Sequence, residues 1–156
     1  MRPRALQARL NKLKYEVSNP YSVSSAKIVL DRGYGHCLEA AMVAAYINGE
    51  NYAHMILHII TQESNQKNIA HAVYTYLHKG NFVSVGRSKY SFLQARFNGF
   101  NDLTQLARSY TEEYVLKLNR KIVFAGYVTL DDLTNLDWKK SNDDLTKIND
   151  RLFTSR

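Results

Sequence analysis

The chain has 156 residues, a formal net charge of +7 and a single cysteine. This length predicts one domain, residues 1–156, built around a single hydrophobic core. One cysteine excludes an internal disulfide, and no apolar run reaches the roughly 18 residues of a membrane span. No secretory apolar segment follows Met1, so we expect a cytoplasmic protein without a transmembrane segment, with a secreted form left open.

Most of the positive charge lies in the first 36 residues, where seven basic and two acidic side chains give +5 of the total +7. A basic end of this kind suits nucleic acid or an acidic membrane surface, but a solvated basic helix face is the more ordinary explanation. The sequence has neither zinc-finger spacing nor the alternating aromatic and basic residues of single-strand binders. Nucleic acid and acidic lipid are therefore only secondary partner predictions.

Two helices are predicted before the cysteine. Pro3 to about Tyr15 carries leucines at helical spacing, which is typical of a helix that packs on a core. Ser24 or Ser25 is placed to cap a short second helix, which ends at Gly33.

The third helix begins at Cys37. The following segment, Leu38 to Ile47, is apolar except for Glu39 and stops at Asn48-Gly49. A helix that is apolar on nearly all sides is buried. Unpaired N–H groups and the helix dipole at its first turn favour the thiolate, which is the nucleophilic form of cysteine. The alternative is that Cys37 is only a small buried hydrophobe.

Strands are predicted after this helix from runs of β-branched and aromatic residues, at residues 55–61, 69–78 and 82–85. The second and third should form a hairpin, and the position of its turn sets the register. With a turn at Lys79-Gly80, His71 faces Ser88; with a turn at Gly80-Asn81, it faces Tyr90. Either hydroxyl is suited to orient an imidazole ring.

The C-terminal third predicts less regular structure. Its candidate elements are a strand at 90–96, a helix capped by Asp102 that runs to Leu118, a strand at 122–130, an irregular segment at 131–138, and a last helix that Ser141 opens. The order of helices, then strands, then helices predicts an α+β protein, with a central buried helix packed on a small antiparallel sheet.

A cysteine nucleophile needs a base, usually histidine, and a group that holds the histidine in place. His71 is the best of the five histidines, because it begins a strand after a polar loop. His54 and His58 have the spacing of paired metal ligands on a helix, but on a strand they would lie about 13 Å apart. We therefore predict neither a metal nor a cofactor.

Several segments resemble a bacterial transglutaminase-like family: Gly35–Ala41 (GHCLEAA), His71-Ala72-Val73, Ser88–Ser91 with Leu93 and Arg96, and Leu103–Tyr114. The similarity runs from about Leu6 to Leu152. It implies the papain-like α+β fold, with Cys37 as nucleophile and His71 as base. Where that superfamily places an aspartate on the next strand, this chain has Ser84–Ser88 and no acid. Ser88 is therefore the candidate third residue.

Two classes of function follow. In the first, the protein is a cysteine-dependent enzyme of acyl transfer or hydrolysis that acts on an amide or thioester, as peptidases, deamidases and transglutaminases do. In the second, it is a degenerate papain-like domain that binds a protein or peptide without chemistry. Both make a protein or peptide the expected partner.

Overall fold

The computed structural model describes residues 1–49, 54–63, 68–129 and 137–148. Within these ranges the helices are α1 (Pro3–Leu10), α2 (Ala26–Arg32), α3 (Cys37–Asn48) and α4 (Leu103–Leu118). The strands are β1 (Lys14–Tyr15), β2 (Tyr34–Gly35), β3 (His54–Glu63), β4 (Asn68–His78), β5 (Asn81–Val85), β6 (Arg96–Phe100) and β7 (Ile122–Thr129). The protein is therefore α+β, as the sequence predicts.

The main sheet has the order β6-β5-β4-β3-β7, with antiparallel neighbours throughout. Helix α3 packs on one face, against Ala72, Tyr74 and Tyr76 of β4. Helix α4 packs on the other face, against Val73 of β4 and Leu57 of β3. The alternation of side chains along β4 separates these two hydrophobic clusters.

Three predicted elements differ from the structure. Helix α1 ends at Leu10 instead of reaching Tyr15, because residues 14–15 pair with β2 as a short parallel strand. The strand predicted at 90–96 is a 3-10 turn, Ser91–Leu93, followed by β6. Ser141 does not open the last helix: the chain becomes helical only at residue 147, and the rest of that prediction falls outside the described residues.

The hairpin turn lies at Lys79-Gly80, where both residues have positive φ, as the twist of a two-residue hairpin requires. The alternative prediction, a turn at Gly80-Asn81, is therefore wrong. The pairing nevertheless ends at Tyr74 opposite Val85. Ser88 therefore lies beyond the last β4–β5 pair, and the prediction that it faces His71 across the hairpin is wrong.

Strand β5 ends at Val85, just before Gly86. The buried side chain of Gln7 in α1 binds both backbone groups of Gly86: its amide donates to the carbonyl at 2.8 Å and its oxygen accepts from the N–H at 3.0 Å. Gln7 thus occupies the place of a strand partner. The β4–β5 pairing ends at Val85, and Gly86 lies beside Ala72 and Val73 of β4 without pairing with them.

This contact predicts that Gln7→Met lowers the free energy of unfolding by about 2–4 kcal/mol, because two buried backbone groups lose their partner. Chemical denaturation measures the change. Gln105→Met on the exposed side of α4 is the matched control and should stay within about 0.5 kcal/mol of wild type. Equal effects of the two substitutions would contradict the role of Gln7.

Candidate active site

The start of α3 is held by a buried network around Glu39. Glu39 and the N-cap His36 form a reciprocal capping box, in which the Glu39 carboxylate accepts from the His36 N–H at 3.1 Å. The same carboxylate accepts from the Arg32 guanidinium and from the Ser24 N–H, each at 2.8 Å. The one acidic residue of the apolar segment therefore fixes the helix end that carries Cys37.

The Cys37 sulfur lies among backbone N–H groups, although the side chain is only partly buried. Burial raises the pKa of the Cys37 thiol, and hydrogen bonds from the N–H groups of Ala72, Leu38 and Cys37 itself lower it by less. Overall, the pKa of the Cys37 thiol is raised. The expectation that the helix end favours the thiolate is thus not met, because loss of solvation outweighs these N–H groups.

The His71 ring is held by one hydrogen bond. Its Nε2 lies 2.7 Å from the carbonyl oxygen of Leu93. Because a carbonyl only accepts, Nε2 carries the proton and Nδ1 keeps its lone pair. Burial, the largest cause, lowers the pKa of His71 to about 4. The resting site therefore holds a neutral thiol and a neutral imidazole of fixed tautomer.

The structure brings Cys37 to the strand that carries His71. The N–H of Ala72, which directly follows His71, is among the groups that lower the pKa of the Cys37 thiol. Cys37 packs with the hydrophobic cluster on the α3 side of the sheet, which includes Ala72. The His71 ring itself lies on the α4 side of the sheet, with its centroid 5.4 Å from that of Tyr110. Cys37 and His71 therefore lie at the same stretch of β4 from opposite sides of the sheet.

Ser88, the third predicted site residue, lies in the loop after β5. Its hydroxyl accepts from the Tyr90 N–H at 3.1 Å, and its own N–H donates to the Gln94 side chain at 3.4 Å. The group bound to His71 Nε2 is the Leu93 carbonyl instead.

Sequence reasoning missed three groups near the pair. The Leu93 carbonyl has no signal in the sequence, since every residue has one. Tyr15 and Tyr114 lie within electrostatic range of the Cys37 sulfur, and burial is the largest cause that raises the pKa of each, to about 12 for Tyr15. Helical spacing shows only that Tyr114 lies on the same face as Tyr110.

Among the described residues, no group of three or more His, Cys, Asp or Glu side chains is placed to hold a metal ion. The side chains of His54 and His58 fall outside the description. A cavity of about 370 Å³ lies between α4 and β7, lined by Thr111, Val115 and Phe124 among others, and it includes no residue of the Cys37–His71 site.

Comparison with known proteins does not add a family to this geometry. No protein-family model matches the chain, and no curated protein is significantly similar to it. In the part of the chain that the structure describes, no helix combines the length and apolar character needed to cross a membrane. The function therefore has to be argued from the residues of the site.

The buried neutral His71 predicts that acid destabilises the fold. A pKa of about 4 in the folded state, below the ordinary 6.5, means that the unfolded state binds more protons between these values. The free energy of unfolding should therefore fall by up to roughly 3 kcal/mol as the pH drops from 6.5 to 4, and remain level above 6.5.

Denaturation at a series of pH values measures this slope in the wild type and in His71→Gln. The pKa of His36 is also lowered, mainly by burial, but its contribution is common to both proteins and cancels in their difference. A wild-type slope that persists in His71→Gln would contradict the assignment.

Proposed function

We propose that this protein is a cysteine-dependent enzyme of acyl transfer or hydrolysis on an amide or thioester, with a papain-like, transglutaminase-like arrangement of Cys37 and His71. The observation that carries the proposal is the position of Cys37 at the first turn of α3, a helix that packs on β4, the strand that bears His71. The Ala72 N–H of that strand is among the groups that lower the pKa of the Cys37 thiol, and the preceding residue, His71, has its Nε2–H bound to the Leu93 carbonyl.

The chemistry begins from the neutral pair. The Cys37 sulfur attacks the carbonyl carbon while His71 Nδ1 takes the thiol proton, so the base acts during the attack. The tetrahedral intermediate collapses by breaking the bond to the leaving amine or thiol, which takes that proton from His71. Water or an acceptor amine then cleaves the Cys37 thioester. Atoms and charges balance in both halves.

The oxyanion of this intermediate needs donors, and the start of α3 supplies them. The N–H groups of Cys37 and Leu38 belong to the first turn, where a helix provides no partner for them, and both already lie near the sulfur. Preformed donors of this kind typically contribute about 3–4 kcal/mol to stabilising the transition state.

The carbonyl of Leu93 takes the role that an Asp or Asn side chain has in the superfamily. It fixes the tautomer and the orientation of His71. A carbonyl is neutral, however, so it stabilises an imidazolium less than a carboxylate would. We therefore expect the enzyme to be slow.

We expect His71→Gln to slow acylation of Cys37 by roughly 10²–10⁴-fold, the usual contribution of a general base. The probe is p-nitrophenyl acetate, and the measurement is nitrophenolate release across pH. The wild-type rate should rise through about pH 4 with the pKa of His71 and stay level through neutral pH. A solvent deuterium isotope effect above one should accompany it, because the proton moves during the attack.

His78→Gln is the matched control, since this histidine is at the other end of the same strand. Cys37 in the His78→Gln variant should be acylated at the wild-type rate. Equal rates in His71→Gln and His78→Gln would contradict the proposal.

A second candidate is a peptide-binding domain without catalysis. The raised pKa of Cys37 favours it, because a thiol that resists ionisation is a poor nucleophile. On this reading Cys37→Ser leaves capture of a peptide partner unchanged, and the wild type is not acylated by the ester.

A further inference from the structure

Arg96 holds the turn that presents the Leu93 carbonyl to His71. Its Nη1 donates to the carbonyls of Phe92 and Ala95, both at 2.9 Å. These two carbonyls lie on either side of Leu93 in the chain. The Leu93 carbonyl between them is the one bound to His71 Nε2.

The same guanidinium fastens this turn to α4. Nε donates to the Ser109 hydroxyl at 2.9 Å and Nη2 to the Ser109 carbonyl at 3.3 Å. The Arg96 Cζ atom lies 3.9 Å from the centroid of the Tyr110 ring, on the side chain that also contacts the His71 ring. Arg96 therefore connects the turn, the helix and the ring stack that border His71.

This contact set requires arginine. Three different nitrogens of one planar group are used, and they point in directions that the fork fixes. A lysine would bring the charge but only one nitrogen, so it could not span Ser109 and the Phe92 carbonyl together. Arg96→Lys therefore keeps the positive charge but loses the hydrogen-bond geometry of the guanidinium.

We propose that Arg96 is the positioning residue of the site, which holds the Leu93 carbonyl in place and thereby fixes the His71 tautomer with Nδ1 free. Arg96 does not touch the reacting atoms. The catalytic consequence rests on the function proposed above, whereas the effect on the ring does not.

The ring itself provides the test. In protein with ¹⁵N-labelled histidine and Cys37→Ser, the ¹⁵N shifts of His71 should show the Nε2–H tautomer alone. Adding Arg96→Lys should give a mixture of tautomers and faster solvent exchange of the Nε2 proton. Arg108→Gln is the matched control: the Arg108 Cζ atom also lies over an aromatic ring, 4.9 Å from the Phe124 centroid, and among the described residues Arg108 has no hydrogen bond to the turn at 91–95. It should leave the His71 shifts unchanged.

Wild-type His71 shifts in a folded Arg96→Lys protein would overturn the proposal. If Arg96→Lys does not fold, Ser109→Ala takes its place, because of the Arg96 contacts it removes only that of Nε, together with the hydrogen bond from the Ser109 hydroxyl to the Leu106 carbonyl within α4. It should speed exchange of the His71 Nε2 proton, and unchanged exchange there would also overturn the proposal.

A parallel measurement separates this inference from the function. With Cys37 present, Arg96→Lys should slow acylation by p-nitrophenyl acetate roughly a hundredfold, the cost of a misplaced catalytic group. A tautomer change without any wild-type acylation would support Arg96 as a positioning residue and contradict the enzyme. Wild-type acylation with no tautomer change in Arg96→Lys would support the enzyme and contradict Arg96 as a positioning residue.

Discussion

The hydrogen bond from the His71 ring to the Leu93 carbonyl is the interaction on which the candidate site depends. It leaves Nδ1 as the only ring nitrogen that can accept a proton. It also opposes part of the effect of burial on the pKa of His71, which still falls to about 4. A neutral, oriented imidazole ring is the result. Without this bond, neither the tautomer nor the orientation of the buried ring would be fixed.

Contacts of two other buried residues hold the structure around the candidate site. Gln7 binds both backbone groups of Gly86, directly after the last β4–β5 pair. Glu39 fixes the first turn of α3 through its buried contacts with His36 and Arg32. Breaking a buried ion pair of this kind by removing one partner costs several kcal/mol, so the fold and the geometry of the site are stabilised by the same groups.

The sequence predicted the framework well because local patterns determine it. The apolar run after Cys37 predicted the bounds of α3. Ser25 and Asp102 precede the first residues of α2 and α4, and Gly33 follows the last residue of α2, as their capping chemistry indicates. Two features of the site had no such signal. A backbone carbonyl such as that of Leu93 is common to every residue, and the burial that raises the pKa of Cys37 depends on packing that no local pattern contains.

The central claim is that Cys37 acts as a nucleophile with His71 as its base. Intact-protein mass spectrometry after brief exposure to p-nitrophenyl acetate tests it most directly, with peptide mapping to locate the adduct. The account predicts one acetyl group, about 42 Da for the thioester that nucleophilic catalysis forms, on Cys37 in the wild type and little or none in His71→Gln. An unmodified Cys37 in the wild type, or equal acetylation of the two proteins, would contradict it.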